Sequence, residues 1–147
     1  METTMLDAIH KTIRVECSVE HAFKTFTDDM TSWWPLATHS VGRHEAESVA
    51  FEPGRLVERY SGGKEDVWGE LLLWEPPRRL VLAWHPGRGP DEATELEVRF
   101  VPDGDGTLVE LEHRGWDRIG ARGPIGRPDY EKGWDDVLGC YAPAASA

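Results

Sequence analysis

DYEKGWDDVLGCY, residues 129–141, governs the architecture. Its apolar members Tyr130, Trp134, Val137, Leu138 and Tyr141 fall at i, i+4, i+7, i+8 and i+11, one stripe of a helix. Asp129 is placed to cap its start and Pro143 to end it, so residues 143–147 are expected to fray. Gly133 and Gly139 each cost about 1 kcal/mol relative to alanine, so the stripe needs a packing partner. Upstream, the Gly/Pro-rich residues 120–128 read as a loop. Before them come short runs with strand character at residues 48–52, 55–61, 67–74, 80–85, 93–101 and 107–114, broken by Pro53-Gly54, Gly62-Gly63, Pro76-Pro77 and Pro102 to Gly106. Close spacing with short turns implies a meandering antiparallel sheet. Residues 9–17 alternate as a further strand. Ser18 follows as an N-cap for a helix over residues 19–27, with a second short helix over 29–33 that Pro35 stops. Residues 36–47 show no period. The order is strand, two short helices, strands, long helix, an α+β architecture. The closing helix must lay its stripe on the concave face of a curved sheet, which leaves space between them.

The 147 residues suit one domain, spanning 1–147 with an ordered core over about 8–142. A formal charge of −11, from 16 Lys+Arg against 27 Asp+Glu, argues against nucleic acid and against an anionic membrane surface. No apolar run approaches the roughly 20 residues a bilayer span needs. Residues 1–15 show no secretory pattern, and Cys17 and Cys140 make no disulfide framework, so a cytoplasmic location is expected. Seven tryptophans are the outstanding number, each with an N–H that wants a partner. So many in so small a chain are expected to leave some lining a cavity, groove or interface.

The usual chemical motifs fail. His44-Glu45-Ala46-Glu47-Ser48 lacks the second histidine of a zinc protease, and the loop at Asp103 has Arg114 where a calcium loop needs glutamate. Gly62-Gly63-Lys64 is no phosphate loop, and there is no GxSxG. Neither metal nor cofactor is expected. What remains are polar residues on apolar faces. Thr107, Val109, Leu111 and His113 share the inward face of one strand, so His113 is either a core-edge histidine or a ligand contact. Glu58 shares a face with Leu56 and Tyr60; it is either a buried carboxylate suited to acid–base use or a solvated one, with Val57 and Arg59 inward. His39 and His44 read as ordinary loop histidines. Trp84 alternates with Leu80 and Leu82, and Trp134 lies mid-stripe; the two are core, or opposite walls of one pocket with Trp33 and Trp34 at its rim.

Six stretches in order carry a family resemblance: FTDDMTSWWP (26–35), FEPGRLVE (51–58), WGELLLWEPPRRLVLAW (68–84), TELEVRF (94–100), VELEHRGW (109–116) and GWDDVL (133–138). Together they resemble the heat-shock ATPase activator homologue family of the START-like, birch-pollen-allergen-like superfamily. The resemblance implies the helix-grip fold, a curved antiparallel sheet wrapped around a long C-terminal helix with a hydrophobic cavity between. Superfamily members include lipid and hormone carriers, polyketide cyclases and the chaperone activator, so fold alone does not choose a function. No counterpart of the full-length activator's extra N-terminal domain is expected, which sets chaperone regulation behind small-molecule binding.

The leading expectation is a hydrophobic small-molecule binder, its ligand lipid-like or aromatic. Trp34, Leu56, Glu58, Leu82, Trp84, Val98, His113, Trp134 and Leu138 are the expected cavity residues. Alternatives are a cyclase, dehydratase or hydrolase using Glu58 and His113, and an interaction module or homodimer built on exposed tryptophans such as Trp68 or Trp74.

Overall fold

Alternation along the chain resolves into a single sheet. The structure, a computed structural model, describes residues 7–120 and 122–147; residues 1–6 and 121 of the expected single-domain span lie outside the described residues. Seven strands form it: β1 (Ile9–Val15), β2 (Ala46–Glu52), β3 (Arg55–Tyr60), β4 (Lys64–Glu75), β5 (Arg79–Trp84), β6 (Thr94–Asp103) and β7 (Gly106–Arg114). All pairs are antiparallel, in the order β1-β7-β6-β5-β4-β3-β2. The helices are α1 (Val19–Asp28), α2 (Met30–Trp33) and α3 (Arg122–Ser146). This is the expected helix-grip, with α3 held in the curl of the sheet.

The two faces of the sheet are chemically distinct. Thr107, Val109, Leu111 and His113 of β7 are buried, while Leu108, Glu110, Glu112 and Arg114 turn the other way and are partly exposed. The outer face carries ion pairs: Arg114 Nε meets Glu95 Oε2 at 2.7 Å and its Nη1 meets Glu97 Oε1 at 2.8 Å. Burial pushes the Glu97 carboxyl up, but the hydrogen bonds and charges of Arg114 and Arg99 outweigh it and hold the group below its usual range. The inner face meets α1 and α3 through Phe23, Phe26, Phe100 and Tyr141, rings in edge contact at 5.2–5.9 Å.

Local expectations held at the first helix, where Ser18 Oγ accepts the His21 N–H at 3.2 Å. They failed at both ends of α3. The helix begins at Arg122, so residues 122–128 are helical, Asp129 caps nothing, and Pro143 lies inside it. Pro128 removes one backbone donor, yet the adjacent Arg127 anchors this turn by donating to the Asp7 carbonyl at 2.7 Å and the Ala8 carbonyl at 3.4 Å. At the other end the last turn is docked. Tyr141 donates to the Ala22 carbonyl at 2.8 Å, Ala145 is buried, and Ser146 Oγ accepts the Glu16 N–H at 3.0 Å. Trp68 is likewise buried; Trp74 alone of the tryptophans is substantially exposed, 43%, against Phe23 and Phe51.

One glycine fixes how closely β4 and β5 approach. A Cβ on Gly69 would stand 1.9 Å from the Ala83 carbonyl oxygen and 3.1 Å from its carbon, both ladder backbone. Gly69→Ala is therefore expected to destabilise by about 3 kcal/mol or more. Gly139→Ala, in open space on α3, should stabilise by about 0.5–1 kcal/mol. Urea midpoints of the two variants check the contrast.

Candidate functional site

The site begins with the Trp33-Trp34-Pro35 corner. Trp34 leaves α2 in extended geometry, φ −63° and ψ 133°, and the chain crosses toward α3. Residues 36–43 are tied down by their own polar groups. Trp34 Nε1 donates to the His39 carbonyl at 2.8 Å, Ser40 Oγ donates to the Leu36 carbonyl at 2.5 Å, and Ser40 Oγ accepts the Arg43 N–H at 2.8 Å. From β3, the fully buried Glu58 holds the loop down: Oε1 accepts the Val41 N–H at 2.8 Å and Trp68 Nε1 at 2.9 Å, and Oε2 accepts the Gly42 N–H at 2.8 Å. A register shift between Leu56 and Val57 accompanies the burial of Leu56, Val57 and Glu58 in succession.

Between this loop and α3 lies a solvent-open cavity of about 480 Å³. Trp68, Trp84 and Pro86 bound it from the sheet side, Trp34, Thr38, His39, Ser40, Val41 and Arg43 from the loop, and Tyr130, Gly133, Trp134, Asp136 and Val137 from the helix. Four indoles make a continuous wall. Ring centroids are 5.1 Å apart for Trp34–Trp68, 5.7 Å for Trp68–Trp84, 5.3 Å for Trp84–Trp134 and 6.0 Å for Trp34–Trp134. The mouth is polar: His39 Nδ1 meets Thr38 Oγ1 at 2.7 Å, and its Nε2 faces Asp136 Oδ2 at 3.3 Å.

His113 stands one side chain removed from the cavity. Trp134 Nε1 reaches its Nδ1 at 2.9 Å, and an indole nitrogen only donates, so Nδ1 is the unprotonated acceptor. The proton is thereby assigned to Nε2, which donates to Thr94 Oγ1 at 2.6 Å; the Thr94 hydroxyl passes on to the Trp84 carbonyl at 3.3 Å. Burial, with the Arg88 charge adding to it, pulls the imidazole pKa from 6.5 to about 3. His113 is a neutral strut with both nitrogens engaged.

Of the six buried indoles, five place their N–H on an acceptor: Trp33 on the Thr25 carbonyl, Trp34 on His39, Trp68 on Glu58, Trp116 on the His113 carbonyl and Trp134 on the His113 ring. Trp84 Nε1 is buried without a well-formed one, facing the Tyr130 hydroxyl. A buried polar group in that condition costs about 1–3 kcal/mol.

Of the nine residues expected at the cavity, Trp34, Trp84 and Trp134 line it. Leu56, Leu82, Val98 and Leu138 pack in the core cluster instead, and Glu58 and His113 brace the indoles from outside the lining. The middle of the grip is filled, and the opening sits at its loop end. Thr38, His39, Trp68, Tyr130, Asp136 and Val137 are among the lining residues beyond those nine. For Val137 the helical stripe is the available signal, since it adjoins Leu138; for Thr38 and His39, in an aperiodic loop, there is none.

A curved antiparallel sheet closed by a C-terminal helix, with a ring-walled cavity at one end of the grip, defines a small α+β helix-grip domain. The chain belongs to the Activator of Hsp90 ATPase homolog 1-like protein family, whose model matches residues 16–139. Among solved structures, an anthrahydroquino-gamma-pyrone synthase, Txn09, complexed with SUM, is 34% identical over 95% of this chain and 97% of that one, with a TM-score of 0.64. The self-sacrificing resistance protein CalC from Micromonospora echinospora is 25% identical over 94% and 93%, with a TM-score of 0.69. The Aha1 dimer from Colwellia psychrerythraea, 16% identical over 96% and 97% with a TM-score of 0.65, shares the fold. No curated protein sequence matches this chain. Among the described residues no helix is long and apolar enough to cross a membrane.

Proposed function

We propose that this protein binds a polycyclic aromatic small molecule of polyketide type in the cavity between α3 and residues 35–43. The carrying observation is the wall of Trp34, Trp68, Trp84 and Trp134 around an opening of about 480 Å³, within the roughly 300–1,000 Å³ typical of small-molecule sites. Flat rings stack on indoles at offset or edge geometry and gain more than their buried area alone gives. The 34% identity to a pyrone synthase over nearly the whole chain supports the ligand class.

That same likeness favours a second reading, in which the bound molecule is also transformed. Glu58 and His113 do not suit it, because their polar atoms are occupied by Val41, Gly42, Trp68, Thr94 and Trp134. Proton transfer would fall to the Thr38–His39–Asp136 row at the mouth, where hydroxyl, imidazole and carboxylate stand in sequence.

Binding is tested by titrating anthracene-2-sulfonate and a fatty acid while following tryptophan emission. At about 0.3 kcal/mol per heavy atom, an eighteen-atom ligand reaches a Kd of roughly 100 µM. Saturable quenching by the aromatic probe and none by the fatty acid is expected. A flat response to both removes the proposal.

A further inference from the structure

The unpartnered indole bears on what kind of molecule fits. Trp84 is 2% exposed and belongs to the cavity wall, yet its N–H finds no well-formed acceptor. Its polar neighbour is the Tyr130 hydroxyl, carried on α3 and lining the same cavity. A hydrogen bond between the two would leave the phenol's own hydrogen unassigned, because an indole nitrogen cannot accept. However they are arranged, the pair holds two donor hydrogens, and among the described residues no protein acceptor takes the outermost of them. Burial raises the Tyr130 pKa against the opposing Arg88 charge and the hydrogen bond from Trp84, so the phenol keeps its proton and stays a donor. Arg88 Nη2 donates to the Trp84 carbonyl at 3.1 Å, which sets a positive charge on this side of the wall. The mouth, by contrast, carries the carboxylates of Asp129 and Asp136.

We infer that the ligand carries a carbonyl oxygen conjugated to its ring system, and that this oxygen accepts the hydrogen that the Trp84–Tyr130 pair leaves free. The inference rests on the reading of the cavity as an aromatic-ligand site. A ring carbonyl offers two lone pairs in the plane of the flat ligand that the indoles stack, and it brings no hydrogen of its own. A hydroxyl in the same place would add a third donor to a donor pair. Trp84 thus has two functions, a stacking face and a polar anchor, the second supplying the orientation that an all-apolar wall lacks.

The test compares anthraquinone-2-sulfonate with anthracene-2-sulfonate by calorimetry. The probes share a three-ring skeleton and a sulfonate and differ in the two carbonyl oxygens. The quinone is expected to bind about ten-fold tighter to the wild-type protein, and Y130F to reduce that preference several-fold. The Trp84 indole proton resonance should move downfield with the quinone and not with the anthracene. Equal affinities, or a preference that Y130F leaves intact with a stationary Trp84 resonance, overturn the carbonyl anchor while the cavity reading stands. Binding of neither probe overturns the cavity reading itself. The wild-type comparison does not depend on how well Y130F folds.

Discussion

Between pH 7 and pH 4 the protein is expected to lose about 3 kcal/mol of stability through His113 alone. In an unfolded chain a histidine takes up its proton near 6.5, whereas in the folded protein burial, with Arg88 adding to it, holds His113 neutral down to about 3. Across that window the unfolded state binds a proton the native state refuses. The contribution is therefore complete above pH 6.5 and erodes by about 1.4 kcal/mol per unit as the pH falls toward 3. Among the described residues no carboxylate acts on the imidazole. Trp116, Tyr130 and Trp134 face the ring at 4.2, 4.9 and 5.8 Å, and the charge acting on it is the like charge of Arg88. His113→Gln keeps an acceptor for Trp134 and a donor for Thr94 but does not titrate. Urea unfolding from pH 4 to 7 should show a shallower slope for the variant than for the wild type. Glu97 and Glu75, both held below their usual range in the folded protein, add acid lability of their own, and Asp66, raised by burial, opposes it. These are common to both proteins, so the difference isolates His113. Identical slopes would reject the assignment.

Glu58→Ala is expected to cost about 3–5 kcal/mol and to release the loop over the cavity. The substitution strands the Val41 and Gly42 amides and the Trp68 indole, three donors now bonded to one buried carboxylate. Hydrogen bonds to a charged group contribute about 1.5–3 kcal/mol each, and the losses overlap because the donors share a partner. Glu58→Gln should fall between the variant and the wild type, since its amide nitrogen turns a donor toward a donor. Two measurements separate the effects. Chemical denaturation gives the stability loss, and native-state hydrogen exchange should show Val41 and Gly42 losing protection ahead of the rest of the sheet. Unchanged protection at both amides would mean that Glu58 does not hold the loop.

The physical reason that some of this is legible in the sequence lies in what periodicity encodes. The alternation of residues 107–113 places His113 inward, and the stripe from Tyr130 to Tyr141 places Trp134 against the sheet, as the structure has them. Period gives the face of an element but not the depth along it. Leu56, Leu82, Val98 and Leu138 share apolar faces with cavity residues and end in solid core, while neighbouring Val137 reaches the opening. The helix start is hidden for a different reason. Gly and Pro in residues 120–128 speak for a loop, and what overrides them is a contact from Arg127 to carbonyls more than a hundred positions away. His39 illustrates the same limit, since its place beside Asp136 depends on a loop that Glu58 pins from another strand. The family resemblance recovers the architecture, and the family match agrees with it.

The chain of indoles has an optical consequence. With Trp34, Trp68, Trp84 and Trp134 spaced at 5.1–6.4 Å and tilted at 45–85° to one another, their electronic transitions couple, and excitation of one ring migrates to the others. The folded protein should therefore display an exciton couplet in circular dichroism that vanishes on unfolding, and an energy acceptor seated against Trp84 would drain light absorbed anywhere along the row.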